Sequence, residues 1–120
     1  MPTLAARVAQ VVAEDADRIA IVDGERRCSY GQFWSQARTL AAQLRAAGLA
    51  PGERVAIVLP NRIEAATAVY GTWLAGAVAV PLNAQARTRD FVAWLRHCGA
   101  RALVHEHDNL DVAASLQALD

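Results

Sequence analysis

An uninterrupted apolar run near the middle of the chain constrains the fold more than any other feature. Val55–Leu59 has the length of a β-strand, is rich in β-branched side chains and contains no alternating polar residue. A strand of this kind is covered on both faces, as are the parallel strands of α/β sheets. Pro60 lacks the N–H that a sheet ladder needs, so the strand is predicted to end there. Asn61 with Glu64 three residues on matches a capping box, which predicts that a helix follows directly.

Two shorter apolar runs repeat this strand–helix unit. Ala77–Val80 ends at Pro81-Leu82-Asn83, and Ala102–Val104 runs into His105-Glu106-His107. Apolar residues at helical spacing lie between the runs: Ile63, Ala66, Tyr70 and Trp73 before the second, then a loop (Ala84–Arg87) and a helix over Arg89–Cys98 with Phe91, Trp94, Leu95 and Cys98 inward. Two consecutive strand–helix–strand units with short links predict a parallel sheet with right-handed crossovers.

The remaining segments flank this core. They are a helix over Thr3–Glu14, a hairpin of Ile19–Val22 and Arg26–Ser29 joined by Asp23-Gly24, a helix from the Ser29/Gln32 capping box to Ala47, and a last helix with Leu110, Ala113 and Leu116. We expect the hairpin at the edge of the parallel portion. The predicted fold class is α/β: an open, mainly parallel sheet with a βαβαβ core and flanking helices, plus an N-terminal helix and a small antiparallel hairpin, all in one domain over residues 1–120.

Charge and composition exclude several functions. The formal net charge is zero, which argues against a nucleic-acid or membrane-surface binder driven by charge. All twelve basic residues are arginine, so no amine nucleophile or phosphate-binding lysine is present. Cys28 and Cys98 lie too far apart in sequence to indicate a zinc site or a disulfide framework. No secretory signal or membrane-spanning run is found, so we expect a cytoplasmic protein.

The carboxyl ends of the predicted parallel strands are where a ligand of an open α/β sheet would bind. Asn61 lies at one of these ends, and its simplest role is a helix cap; ligand binding is the alternative. Arg87 and Arg89 lie near a helix start and could meet an anionic group, although solvated surface arginines are ordinary. No glycine-rich phosphate loop follows any strand, so the usual nucleotide-binding motif is missing from this stretch.

The histidines and tryptophans have ordinary structural explanations. His105 and His107 fall on one side of an extended segment, but a metal site needs three or four ligands. His97 is interpreted as a cation at a helix C-terminus and Cys98 as core. The three tryptophans lie on helix stripes, where core packing is the expected role.

Three landmarks in this order resemble the opening of the adenylate-forming enzymes, which include acyl-CoA synthetases, adenylation domains of peptide synthetases and luciferases. They are Ser29-Tyr30-Gly31-Gln32-Phe33 followed by Ala47–Asn61, then Leu74–Asn83, then Gly99–Val104. The resemblance covers about Leu4 to Val104. One departure is visible, because the family usually begins the third helix with a Thr-Pro-Glu-Glu-like sequence and this chain has Arg87-Thr88-Arg89-Asp90. We therefore expect Thr88 to be the N-cap of that helix.

The resemblance implies a two-step reaction. A carboxylate attacks the α-phosphate of Mg²⁺-bound ATP to give an acyl-adenylate and pyrophosphate, and a thiol, often coenzyme A, then takes the acyl group. The family's phosphate-binding loop, ribose-binding acid and catalytic lysine match no position here, so no catalytic residue is assigned. This stretch is expected to be scaffold, the first part of a larger N-terminal domain whose remainder is its main partner, and to be inactive alone.

Two alternatives follow from the length of 120 residues. The chain is either a piece of a longer AMP-forming acid–thiol ligase or a non-catalytic interaction or regulatory module derived from the same fold. A partly built sheet leaves an open edge and exposed apolar helix faces, so we expect the isolated chain to form homo-oligomers or aggregate. The carboxylic acid substrate stays open among fatty, aromatic and amino acids, as does the choice between coenzyme A and a carrier protein.

Overall fold

The computed structural model describes residues 3–119 as alternating helices and strands. In chain order the elements are α1 (Leu4–Glu14), β1 (Ile19–Asp23), β2 (Arg26–Ser29), α2 (Tyr30–Ala46), β3 (Arg54–Val58), α3 (Ile63–Leu74), β4 (Val78–Pro81), α4 (Thr88–Cys98), β5 (Ala102–His105) and α5 (Leu110–Ala118). None of the helices within these residues is long and apolar enough to cross a membrane. The order of elements is the one that the sequence predicts.

The three apolar runs lie side by side in one parallel sheet, as predicted. Strand β3 is central, with β4 on one side and β5 on the other. Val55 pairs with Ala79 of β4 and with Ala102 of β5, and all strands run in the same direction. Val55 and Val58 have no exposed surface, because helices cover both faces of the sheet.

Alternate residues of β3 enter two different cores. Val55 and Ile57 pack with buried residues of α2 and α3 on one face. Val58 packs on the other face with Phe91 of α4 and Val112 of α5. The sheet is therefore the middle layer between two helix pairs, and its carboxyl ends are the edge where the loops into α3, α4 and α5 meet.

Pro81 lies within β4 rather than after it. It is paired with Ile57, and the next residue, Leu82, donates its N–H to the Ile57 carbonyl at 2.8 Å. In a parallel ladder successive residues face opposite neighbours, so the nitrogen of Pro81 points away from β3, to the open side of an edge strand. The missing donor at Pro81 therefore costs no ladder hydrogen bond.

The hairpin forms a separate two-stranded sheet, so its expected place at the edge of the parallel sheet is wrong. It packs through Cys28 against Phe33 of α2 and Ile63 of α3. Tyr70 completes this cluster, with its ring centroid 5.2 Å from that of Phe33 in an edge-on arrangement. Aromatic burial holds the hairpin against the helices, which satisfies its apolar face without a third strand.

The predicted buried stripe of α5 faces the wrong way, and that of α3 is incomplete. Helix α5 buries Val112 and Ser115, whereas Leu110 is 80% exposed and Leu116 44% exposed. In α3 the prediction missed Ala68, Gly71 and Thr72, which are buried because this helix is covered by both α2 and the sheet.

The tryptophans are also less buried than expected. Trp73 and Trp94 remain 38% and 37% exposed, and only Trp34 lies among partly buried core residues. Within residues 3–119 these rings and the exposed leucines of α5 form apolar surface without a covering element.

Candidate functional site

A cleft of about 720 Å³ opens at the carboxyl ends of β3 and β4. One wall is the β3–α3 turn, Leu59-Pro60-Asn61, together with the first two turns of α3. The other wall is the β4–α4 loop, from Pro81 to Gln85. The position is the one where open α/β sheets bind ligands, and it brings Asn61 to the rim of the cleft.

The lining is uncharged within the described residues. Polar tips come from Asn61, Asn83 and Gln85, while Leu59 and Val69 supply apolar surface. Asn83 is partly committed, since its Oδ1 accepts the N–H of Gln85 at 2.9 Å in an Asx turn. Such a lining can hold an uncharged group by shape and amide hydrogen bonds. It offers no cation to neutralise phosphate and no carboxylate or imidazole for proton transfer.

The β3–α3 wall is fixed by a side chain from outside the cleft. The Asn61/Glu64 capping box is wrong: the N-cap of α3 is Arg62, whose side chain makes no capping hydrogen bond. The Asp23 carboxylate at the end of β1 takes this role instead and accepts the Ile63 N–H at 3.2 Å. A carboxylate at this point satisfies an open helix donor and complements the positive end of the helix dipole.

Asp23 belongs to a cluster of four charges that joins the hairpin to α3. Arg26 donates to Asp23 at 2.5 Å and forms two 2.8 Å hydrogen bonds to the Glu64 carboxylate. Arg62 approaches Asp23 from the other side, Nε to Oδ2, at 3.2 Å. Glu64 therefore pairs with Arg26 of the hairpin and is not part of a capping box with Asn61.

The charge cluster lowers the pKa values of its two carboxyl groups, which favours their charged forms. The Ile63 N–H, followed by Arg26, holds the pKa of Asp23 below its usual range. Hydrogen bonds from Arg26 likewise lower the pKa of Glu64. The two carboxylates in turn raise the pKa of Arg26, the bidentate pair with Glu64 most strongly. These shifts favour the charged forms of Asp23, Glu64 and Arg26.

The β4–α4 wall is held in a similar way from α5. The prediction that Thr88 is the N-cap of α4 is wrong. Thr88 is the first helical residue, and Arg87 is the N-cap. Asp111 accepts both the N–H and the Oγ1–H of Thr88, at 2.9 and 2.7 Å, and these bonds lower the pKa of Asp111. Asn109 donates from Nδ2 to the Ala84 carbonyl at 3.3 Å. Two side chains at the start of α5 therefore position this loop.

The two predicted arginines do not line the cleft. The Arg87 guanidinium lies 3.8 Å from Asp111, and Arg89 is exposed on the first turn of α4. Asn61 is thus the one of the three candidate residues that the structure places at the cleft. An anion-binding role for Arg87 and Arg89 stays a prediction.

None of the three histidines lines the cleft, although the groove beside His97 shares Pro81, Leu82 and Asn83 with it. His105 Nδ1 lies 2.7 Å from the Glu106 carbonyl, and His97 with Cys98 and Trp94 lines a smaller groove beside β4. Among residues 3–119 no three His, Cys, Asp or Glu side chains are grouped as a metal site would need.

Burial raises the pKa of the Cys28 thiol, so its position in the hairpin core is that of an unreactive apolar residue.

The comparison with protein families identifies the family of this chain, which the lining of the cleft alone does not. The family model of the AMP-binding enzymes matches residues 8–120. The chain therefore belongs to the AMP-binding enzyme family.

The similar sequences are parts of much longer enzymes. A naringenin synthase of Pestalotiopsis fici is 35% identical over 97 residues, which are 81% of this chain and 4% of the relative. A feruloyl-CoA synthase of an Amycolatopsis species is 33% identical over 99 residues, 82% of this chain and 20% of the relative. The chain thus spans a fifth or less of the length of these curated relatives.

Solved structures agree with the fold. A benzoate CoA ligase from Burkholderia xenovorans LB400 is 28% identical and superposes with a TM-score of 0.91 over 98% of this chain and 24% of its own. The O-succinylbenzoate coenzyme A synthetase from Bacillus subtilis, solved in complex with AMP, is 26% identical with a TM-score of 0.76 over 85% of this chain and 28% of its own. The α/β architecture is shared with CoA ligases.

Proposed function

We propose that this chain is the N-terminal part of an AMP-forming acid–thiol ligase. The enzyme would join a carboxylate to ATP, releasing pyrophosphate, and would then pass the acyl group from the acyl-adenylate to a thiol. The observation that carries the proposal is the superposition of nearly the whole chain on about a quarter of a benzoate CoA ligase. ATP with Mg²⁺ and coenzyme A or a carrier thiol are the implied cosubstrates.

The role proposed for this stretch is scaffolding of the active site, as one partial domain over residues 1–120. Phosphoryl charge in the transition state needs cations and fixed N–H donors, and the cleft lining supplies neither a lysine nor an arginine. A ligase would therefore draw its catalytic groups from residues beyond these. Asn61 is the candidate for contact with a bound group, through its side-chain amide at the rim.

The overall reaction tests the proposal on the protein at its natural length. The protein is incubated with ATP, Mg²⁺, coenzyme A and a panel of fatty, aromatic and amino acids, and acyl-CoA and AMP are measured by mass spectrometry. We expect AMP in amounts equal to the acyl-CoA for at least one class of acid, and no product from residues 1–120 alone. Acyl-adenylate, or AMP and free acid from its hydrolysis, without acyl-CoA would show that the acid is activated but that coenzyme A is not the acceptor. A folded natural-length protein that forms neither would favour the non-catalytic module.

The comparisons leave the choice of acid open. The relatives named above act on different acids, as a feruloyl-CoA and a benzoate CoA enzyme show by their names. A cytoplasmic location is likewise a prediction, for which cell fractionation is the measurement.

A further inference from the structure

We propose that Asp23 and Asp111 are positioning residues that set the spacing between the two walls of the β3–β4 cleft. Neither carboxylate lines the cleft, and they come from opposite ends of the chain. Each reaches the start of the helix that follows one wall. The proposal concerns the shape of the cleft and goes beyond the proposed ligase function, because it holds whatever the cleft binds.

The first argument is that neither wall loop is followed by a helix that caps itself with its own N-cap side chain. The N-cap residues of α3 and α4 are Arg62 and Arg87, and neither makes a side-chain capping bond. In α4 the Asp90 carboxylate accepts the Arg87 N–H at 3.1 Å, but the Thr88 N–H has its side-chain acceptor on α5. Arginine carries no acceptor, so it cannot satisfy the open N–H groups of a helix start. By contrast α1, α2 and α5 are capped locally by Thr3, Ser29 and Asn109.

The second argument is that the missing acceptor is supplied from another element in both cases. Asp23 accepts the Ile63 N–H at 3.2 Å from 40 positions earlier in the chain. Asp111 accepts the Thr88 N–H at 2.9 Å from 23 positions later. A capping bond of this kind fixes the helix start relative to a distant element, here the hairpin for one wall and α5 for the other.

The third argument is that further hydrogen bonds or ion pairs hold each of the two carboxylates in place, so that Asp23 and Asp111 are fixed anchors for the helix starts. Arg26 and Arg62 flank Asp23, and Arg26 continues to Glu64 on α3. On the other side, the Thr88 hydroxyl gives Asp111 a second bond at 2.7 Å. A short path then joins each anchor to the cleft: Asn61 precedes Ile63 by two residues, and Gln85 precedes Thr88 by three.

Spectroscopy on the protein at its natural length tests the proposal without needing a ligand or activity. Spin labels are placed on the two walls by Asn61→Cys and Gln85→Cys in a background in which Cys98 and any exposed cysteine outside residues 1–120 are replaced by serine. Cys28 is buried and is kept. Dipolar broadening then reports the distribution of distances across the cleft. Asp23→Ala or Asp111→Ala should widen this distribution, and Asp→Asn at the same position should restore much of it, because the amide oxygen still accepts the N–H.

Amide hydrogen exchange supplies the second readout, which separates a local loss from general unfolding. In Asp23→Ala the Ile63 amide should exchange about tenfold faster, and in Asp111→Ala the Thr88 amide should do so, since a charge-assisted hydrogen bond is lost. Amides of β3 should not change. Glu25→Ala and Asp108→Ala, which remove exposed carboxylates from the same two segments, are the matched controls and should leave both readouts unchanged.

The outcomes are distinct from those of the ligase assay. An unchanged distance distribution in both alanine variants would overturn the proposal, whether or not the protein adenylates an acid. An equally widened distance distribution in the two control variants would also overturn it, because the loss of any nearby carboxylate would then have the same effect on the cleft. Widening in the alanine variants only, with recovery in the asparagine variants, is the expected result.

Discussion

Gly71 shows how one absent side chain sets the distance between two helices. A Cβ at this position would lie 2.9 Å from the Ala37 carbonyl oxygen and 2.9 Å from Leu40 Cδ2. The first of these atoms is backbone and cannot rotate away. Helices α2 and α3 therefore approach closely at this point only because residue 71 is glycine.

We expect Gly71→Ala to destabilise the fold, although alanine is the better helix former by about 1 kcal/mol. Overpacking costs about 1–3 kcal/mol and should outweigh this gain. Urea unfolding at submicromolar concentration measures the difference. Thr67→Ala, which removes an exposed 3.3 Å hydrogen bond to Gln36 on the same helix pair, is the control and should change stability by less than about 0.5 kcal/mol. A Gly71→Ala protein more stable than wild type would contradict the close-packing account.

Asp23 makes the free energy of unfolding depend on pH, and its hydrogen bonds set the sign of this dependence. Its folded pKa is lowered, so the unfolded chain binds the proton more tightly than the folded protein does. The stability that it contributes is complete above the unfolded pKa of about 3.9 and is lost as the pH falls through the lowered folded value. Unfolding midpoints between pH 2.5 and 6 should thus show a shallower acid loss for Asp23→Asn than for wild type. The Glu25→Gln variant should keep the wild-type slope, and parallel slopes for all three proteins would refute the assignment.

At the level of elements, α4 is held to the sheet mainly by one aromatic side chain. Phe91 has no exposed surface and packs against Val58 of β3 and Val112 of α5. Trp94 lies one turn away, its ring centroid 6.0 Å from that of Phe91, but is 37% exposed. The same helix thus offers a buried and a half-exposed aromatic residue for comparison.

Truncation of these two rings should have unequal effects. We expect Phe91→Ala to cost about 3–5 kcal/mol, because transfer and cavity terms add in a core that α4, α5 and β3 share. Trp94→Ala should cost well under half as much, since much of its ring already contacts water. Chemical denaturation of both variants measures the ratio, and equal losses would show that the described burial of Phe91 is not what fixes α4.

The predictable elements are those whose signals are local. The strands β3, β4 and β5 could be predicted because burial on both faces leaves a continuous apolar run, and Gly76 and Gly99 mark helix ends by their positive φ angles. The caps at Asn61 and Thr88 could not, because the acceptors that replace them are 40 and 23 residues away. The hairpin was correctly predicted, but its turn residues are Gly24 and Glu25, and Asp23 is the last residue of β1. Nothing in the local sequence indicates that the Asp23 carboxylate reaches α3.

At the scale of the whole molecule, the two edges of the parallel sheet differ in how far they are protected against pairing with another chain. β4 is an edge strand blunted by Pro81, whereas β5 is the other edge and contains no proline. Beside β5, helix α5 exposes Leu110 and Leu116. This side has more of the features of an unfinished interface.

We therefore expect residues 1–120 in isolation to self-associate, with the β5–α5 side as the main contact. Size-exclusion chromatography with light scattering over a range of concentrations measures this, and Leu110→Glu with Leu116→Glu should reduce it. Ala113→Glu, at an exposed α5 position without a large apolar side chain, is the control and should have a smaller effect. A monomeric wild-type chain with a cooperative thermal transition would count against the expectation.

The central claim is that this fold serves carboxylate activation, and the first half-reaction tests it most directly. Exchange of labelled pyrophosphate into ATP requires a reversible acyl-adenylate but no thiol, so it does not depend on the acceptor. The account predicts exchange by the natural-length protein that depends on both Mg²⁺ and one class of carboxylic acid. Absence of exchange with every acid tested, in a protein shown to be folded, would contradict it.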